Sequence, residues 1–116
     1  MTGARVVWPL TLAAVLVAGC GGGGPSSRES GHDLIVHYGC GACHRIGGVE
    51  GADGRVGPSL RSFSQKRSIA GQLPNTPSQV ASWIRDPRRF DPQTIMPDLG
   101  LSQQEAKEVT RYLYEQ

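Results

Sequence analysis

The sequence predicts a small all-α domain of three to four short helices joined by long, turn-rich loops, and three observations predict it. Glycine occurs 16 times and proline 8 times in 116 residues, while aromatic residues make up only 6%. That composition favours short helices separated by turns over sheets or a long bundle. The clearest apolar periodicity is helical and follows N-terminal capping signals, once after Thr76 and once after Ser102. Finally, the first 30 or so residues do not read as domain, which leaves about 85 to fold. A domain of that size buries only about 60 to 65% of its unfolded surface, so its core needs a staple: disulfides, a metal or a cofactor.

Taken in order, residues 1–20 read MTGARVVWPLTLAAVLVAGC, with Arg5, an apolar run over 6–18 and small residues before Cys20. This is the pattern of a secretory signal. The run is about 13 residues, short of the roughly 20 that cross a bilayer as a helix. The ending Val17-Ala18-Gly19-Cys20 resembles the lipobox of bacterial lipoproteins. That resemblance implies a signal peptide over 1–19, cleaved before Cys20, and a diacylglycerol anchor on the Cys20 thiol; an ordinary signal peptide with a chance cysteine is the alternative. Residues 21–30, GGGGPSSRES, have nothing apolar to bury and read with Cys20 as a flexible linker. Ten such residues have a root-mean-square span of roughly 15 to 20 Å. The folded domain is expected over 31–116.

Residues 30–38 form a short helix in this reading, with Leu34, Ile35 and Tyr38 on its buried side and Gly31 where another helix can approach. It delivers the chain to Cys40-Gly41-Ala42-Cys43-His44. In an exported protein C-x-x-C-H is the attachment signature of c-type haem. Two thiols at that spacing reach the two vinyl groups on one porphyrin edge as thioethers, and the histidine falls under the iron as an axial ligand. Its second ring nitrogen then needs an acceptor to fix the tautomer. Structural zinc wants four N or S donors, and the mature chain offers Cys40, Cys43, His44 and His32 or His37 with no second C-x-x-C. A thioredoxin-like dithiol lacks its βαβ surroundings. Haem leaves no thiol unassigned, since Cys20 goes to lipid.

The other axial ligand follows by elimination. Met1 belongs to the leader and Met96 is the one methionine left, in the proline-bounded loop Thr94-Ile95-Met96-Pro97-Asp98 and 52 residues beyond His44. His32 and His37 lie too close before Cys40 to reach the far face. Met/His ligation raises the reduction potential. Between 44 and 75 the chain reads as a loop over one haem edge. Thr76 as N-cap and Pro77 at the first position start the next helix, which ends before Pro87 with Val80, Trp83 and Ile84 on its apolar face. The last helix opens with the capping box Ser102-x-x-Glu105 and buries Ala106, Val109, Tyr112 and Leu113.

Together these residues resemble the class I cytochrome c family over about 31–116, an all-α cytochrome c-like fold wrapped around one covalent haem c. The stretch 56–60 (VGPSL), Leu73-Pro74-Asn75-Thr76-Pro77, Trp83-Ile84 and Met96-Pro97 are similar to the haem domain fused to subunit II of some bacterial cytochrome c oxidases. That resemblance implies that the Pro58 carbonyl accepts the His44 Nδ1 proton and that Arg67 or Asn75, with Trp83, line or pair with the haem propionates. Gly31 matches the family's helix-contact glycine, while Ile35 stands where an aromatic is usual. With no length for a membrane hairpin and copper domain, a free-standing version is expected.

The implied function is a single-haem electron carrier, not an enzyme, at the extracytoplasmic face of a bacterial envelope, feeding a terminal oxidase or another membrane redox complex. A haem-based gas sensor or peroxidase-like protein is the alternative, and requires Met96 to leave a coordination position open. The net charge is +2, but residues 55–89 hold Arg55, Arg61, Lys66, Arg67, Arg85, Arg88 and Arg89 against Asp86 alone. Such a segment steers docking to an acidic partner, pairs with propionates, or forms a solvated face. Nucleic acid is not the expected partner, because the stretch lacks aromatic interleaving and follows an export signal.

Overall fold

The structure is a computed structural model that describes residues 27–116 together with Gly3. The leader, Cys20 and residues 21–26 of the linker lie outside the described residues. Among the described residues four helices run in chain order: α1 (Ser27–His37), α2 (Pro77–Arg85), α3 (Pro87–Phe90) and α4 (Gln103–Tyr114). The first turn of α1 uses 27–30, so the helix begins inside the segment expected to be linker.

Two crossings hold the helices together, α1 on α4 and α2 on α4. The first depends on Gly31: a Cβ there would lie 2.6 Å from the Glu108 carbonyl oxygen and 2.6 Å from Tyr112 Cβ. Only hydrogen lets the two backbones approach so closely, as expected for that residue. Ile35, one turn further on, is 1% exposed; an aliphatic side chain fills the place where an aromatic is usual. The α1 C-terminal end is tied to the start of α4 by the Tyr38 hydroxyl, which donates to Glu105 Oε1 at 3.1 Å.

Gly39 ends α1 at φ 68°, a left-handed conformation that closes helices and that glycine adopts without a Cβ penalty. The chain then tightens into a 3₁₀ turn over Cys40–Ala42.

Residues 44–75 are more ordered than the single loop expected from their composition. Arg45 and Asp53 form an antiparallel bridge. A 3₁₀ turn covers Phe63–Gln65 with Phe63 buried. Two short strands, β1 (Ser68–Ile69) and β2 (Leu73–Pro74), pair antiparallel. Their turn has Ala70 at φ 52° and Gly71 at φ 73°, the two positive values a type I′ turn needs.

The capping signals act as read. Thr76 accepts from the Gln79 N–H, with Pro77 opening α2. Both bonds of the Ser102/Glu105 capping box are present, and Leu101 and Ala106, at the positions flanking it, are buried. Asp86 ends α2 before Pro87 as expected, then caps α3 by accepting from the Arg89 N–H at 3.1 Å. The four-residue α3 was not expected.

Candidate haem site

Eight of the eleven buried apolar residues among those described, Ile35, Ile46, Phe63, Val80 and Leu113 among them, also line one cavity of about 740 Å³. That volume falls in the range of small-molecule and cofactor sites. Cys40, Cys43, His44, Pro58, Arg67, Trp83 and Met96 all reach its wall, together with Lys66, Thr94 and Ile95.

The attachment turn is set by close backbone contacts. The His44 N–H donates to the Cys40 carbonyl at 3.0 Å, and the Gly54 N–H to Gly41 at 3.1 Å. A Cβ on Gly41 would lie 2.8 Å from Ala52 Cβ, and one on Gly54 would collide with the Ala42 backbone. Both glycines therefore let 52–54 lie against the C-x-x-C turn. Burial pushes the Cys40 thiol pKa up, opposed by a backbone hydrogen bond and reinforced by Cys43.

His44 Nδ1 lies 2.7 Å from the Pro58 carbonyl oxygen. A carbonyl can only accept, so this contact requires the proton on Nδ1 and leaves the Nε2 lone pair free to bind a metal. Gly57 underlies the ring: a Cβ there would strike His44 Cε1. The Gly57 N–H in turn donates to the Cys43 carbonyl at 2.8 Å, which fixes the 57–58 segment to the attachment turn.

Met96 enters from the loop between α3 and α4. Its N–H donates to Thr94 Oγ1 at 3.2 Å, and its sulfur accepts from Trp83 Nε1 at 3.1 Å. His32 and His37 do not line the cavity; their rings pack edge-on against Tyr112 and Tyr38.

Of the residues expected near the propionates, Arg67 is on the cavity wall and Asn75 is not. The Asn75 amide donates to the Phe63 carbonyl at 2.9 Å and to Lys66 at 2.8 Å, and its oxygen accepts from the Tyr114 hydroxyl. With those partners it clamps the 63–66 turn to α4. Trp83 lines the cavity, but its one donor faces the Met96 sulfur. Phe63, Lys66 and Thr94 carry no motif that singles them out; Thr94 alone has a local signal, a hydroxyl two residues before an N–H.

The donor set fits haem. Two thiols, an imidazole with Nε2 free and a thioether share one largely apolar chamber. Among the described residues, no three His, Cys, Asp or Glu side chains gather to hold a metal ion, so the ligands for a structural zinc site are not assembled.

Fold and site therefore define a small all-α domain built to hold a covalent haem. The cytochrome c family profile matches residues 29–116, and the chain belongs to that family. It is an electron-transfer cytochrome with covalently bound haem c. It is similar to the cytochrome c oxidase subunit 2 of Alkalihalophilus pseudofirmus (strain ATCC BAA-2126 / JCM 17055 / OF4), 30% identical over 86 residues that cover 73% of this chain and 24% of the relative. It is also similar to the cytochrome c oxidase subunit 2 of Bacillus sp. (strain PS3), 27% identical over 93 residues that cover 77% and 26%. The chain thus spans about a quarter of the length of these curated relatives. No solved structure matches it significantly.

Proposed function

We propose that this protein is a single-haem c-type cytochrome that passes one electron at a time between respiratory membrane complexes, with a terminal oxidase as its acceptor, and that it is not itself an enzyme. In this reading residues 1–19 are a signal peptide and a lipid on Cys20 holds the domain at the extracytoplasmic face of a bacterial membrane. The observation that carries the electron-transfer role is that His44 and Met96 line the same cavity as Cys40 and Cys43.

Each residue has a role of its own. Cys40 and Cys43 anchor the porphyrin. The Pro58 carbonyl holds the His44 proton on Nδ1, so that Nε2 is the ligating nitrogen. Met96 would offer its thioether sulfur as the second protein ligand to the haem iron, leaving no open position for substrate. Haem, when bound, supplies the Fe(II)/Fe(III) couple. Fixed ligands and an apolar wall limit rearrangement between the two states, which keeps electron transfer fast. Arg67 and Lys66 stand at the cavity to meet the propionates, and the remaining arginines of 55–89 steer the domain to an acidic partner. The oxidase subunits among the relatives support the choice of acceptor.

The test is to express the protein with a cytochrome c maturation system, record oxidised and reduced spectra, and follow oxidation of the reduced protein by oxidase-containing membranes from its own source. Expected are covalent haem, the far-red band of Met-ligated ferric haem, indifference to carbon monoxide, and oxidation that slows with ionic strength. Carbon monoxide binding without the far-red band would instead mark a gas sensor or peroxidase-like protein. Failure to pass electrons to any oxidase of that membrane would refute the acceptor.

A further inference from the structure

The two helices that wall the haem cavity carry a separate groove on their outer side. Val80, Trp83 and Ile84 of α2 face the cavity with Val109 and Leu113 of α4, whereas Ala81, Ser82 and Arg85 of α2 line a groove of about 560 Å³ with Lys107, Arg111 and Tyr114 of α4. On a helix, positions 80, 83 and 84 fall on one side and 81, 82 and 85 on the other. Groove and cavity therefore lie on opposite faces of one layer, and their walls share no residue.

The groove carries charge of one sign. Arg85, Lys107 and Arg111 line it, and no aspartate or glutamate does. Among the described residues, ion pairs join His32 to Asp33, Arg61 to Asp53 and Arg111 to Glu108, so Arg85 and Lys107 have no carboxylate partner. The Thr110 and Tyr114 hydroxyls are committed to the Ala106 carbonyl and to Asn75, which leaves those of Ser78 and Ser82 on the wall for a ligand. The nine residues of α2 span about 13 Å, the length of about four residues of extended chain. A bilayer presents a flat array of headgroups and meets protruding cations best. A trough with cations on its walls suits a narrow acidic chain, whose backbone can also bond the hydroxyls.

We propose that the α2–α4 groove is a docking site for a short acidic segment of a partner protein, held by Arg85, Lys107 and Arg111. This rests on the reading of the protein as a carrier to a membrane complex, and it names the surface that holds the complex. The dock lies off the electron path. Val56 and Ile95, 64% and 76% exposed, mark the open edge of the cavity. A segment seated in the groove leaves that edge free, so the protein stays on its complex while the edge exchanges electrons.

The test uses the reduced full-length holoprotein and NMR, with an acetylated tetraglutamate peptide as probe, tetraglutamine as the neutral control and soluble dihexanoylphosphatidylglycerol as the lipid control. Tetraglutamate should shift the Ser82, Lys107 and Arg111 amides and leave Val56 and Ile95 in place, and tetraglutamine should shift none. Arg85→Gln and Lys107→Gln should each weaken tetraglutamate binding about threefold, the size expected for one exposed charge pair. Arg61→Gln, already paired in the native protein, should leave it unchanged. With oxidase-containing membranes, Lys107→Gln should raise the half-saturating concentration about threefold at an unchanged limiting rate.

Shifts confined to the cavity edge would overturn the proposal, as would tetraglutamate binding that ignores Arg85→Gln and Lys107→Gln. Groove shifts produced by the lipid and not by the peptide would make the occupant a membrane and overturn it too. The peptide titration of the native protein needs neither a variant nor an oxidase. Failure to reduce any oxidase of the membrane would instead refute the acceptor, an outcome distinct from failure of the groove assignment.

Discussion

Replacing Gly31 with alanine tests whether the α1–α4 crossing sets the shape of this domain. The new methyl would sit 2.6 Å from the Glu108 carbonyl oxygen and from Tyr112 Cβ, whereas carbon atoms in contact rest at about 3.5 to 4.0 Å. The shortfall is roughly 1 Å. Neither neighbour can yield by turning a side chain. One is helix backbone, and the other belongs to a tyrosine that is 3% exposed and whose hydroxyl donates to the Gly47 carbonyl at 3.0 Å. The helices must therefore move apart. Forcing a methyl group into a packed site costs about 1 to 3 kcal/mol, while alanine in place of glycine returns up to about 1 kcal/mol of helix propensity. The expected net loss is about 1 to 2 kcal/mol. At about 4 to 8 °C per kcal/mol for a domain of this size, the midpoint should fall by roughly 5 to 15 °C. Thermal unfolding of the holoprotein, followed by far-ultraviolet circular dichroism and the Soret band, measures this. Asp33→Ala, on the exposed side of the same helix, is the control and should move stability by less than about 0.5 kcal/mol. A Gly31→Ala midpoint equal to or above the native one would show that the helices do not approach at Gly31 as described.

Other substitutions probe the supports of the site. Asn75→Ala leaves two backbone carbonyls and the Tyr114 hydroxyl without their partner, and a chemical-denaturation series should show a loss of about 2 kcal/mol. Ala70→Asn suits the positive φ better than alanine, whose Cβ costs about 1 to 2 kcal/mol there, so the melting temperature should rise by a few degrees; a fall would refute the type I′ turn. The Ser102 backbone N–H, and after it the Ser102 and Tyr38 side chains, hold the Glu105 carboxyl pKa below its ordinary value of 4.5. A lowered carboxyl stabilises the fold above that ordinary value and loses its contribution as pH falls through the folded pKa. Glu105→Gln should accordingly flatten the acid side of the stability–pH curve, measured as midpoint against pH, and leave the slope around neutral pH unchanged. Ser102→Ala should cost about 1 kcal/mol at neutral pH.

The parts of this fold that can be read in the sequence are those whose signals are local. Thr76-Pro77 and Ser102-x-x-Glu105 put cap and helix within four residues of each other, so α2 and α4 start where the pattern says. The haem-attachment motif was legible for a related reason: C-x-x-C-H is contiguous, and Met96 stood out because Met1 is the chain's one other methionine. The short helix α3 was missed because Asp86 ends one helix and caps the next, and the composition of residues 87–90 resembles a loop. The hairpin was missed because Ala70 occupies a turn position where asparagine or glycine is the usual signal. Asn75 lies beside Pro74 and Thr76 in a stretch that matches the family pattern, but its partners are carbonyls 9 and 12 residues away and a hydroxyl 39 away. Side-chain pairings over such distances leave no trace in spacing. The same holds for Trp83 and Met96, which are 13 residues apart and joined by one hydrogen bond.

Most of the buried apolar residues are also cavity wall, so the interior of this domain and the surface that receives its cofactor are largely one surface. A ligand held reversibly stabilises a protein only in proportion to its free concentration over its dissociation constant. A small domain relying on such a ligand for its interior would loosen whenever the ligand was diluted. Thioethers to Cys40 and Cys43, as proposed above, would remove that dependence, because a tethered cofactor cannot be diluted away from its own chain. The two cysteines would thereby turn a binding equilibrium into part of the covalent structure, and make the stability of the domain independent of how much haem surrounds it.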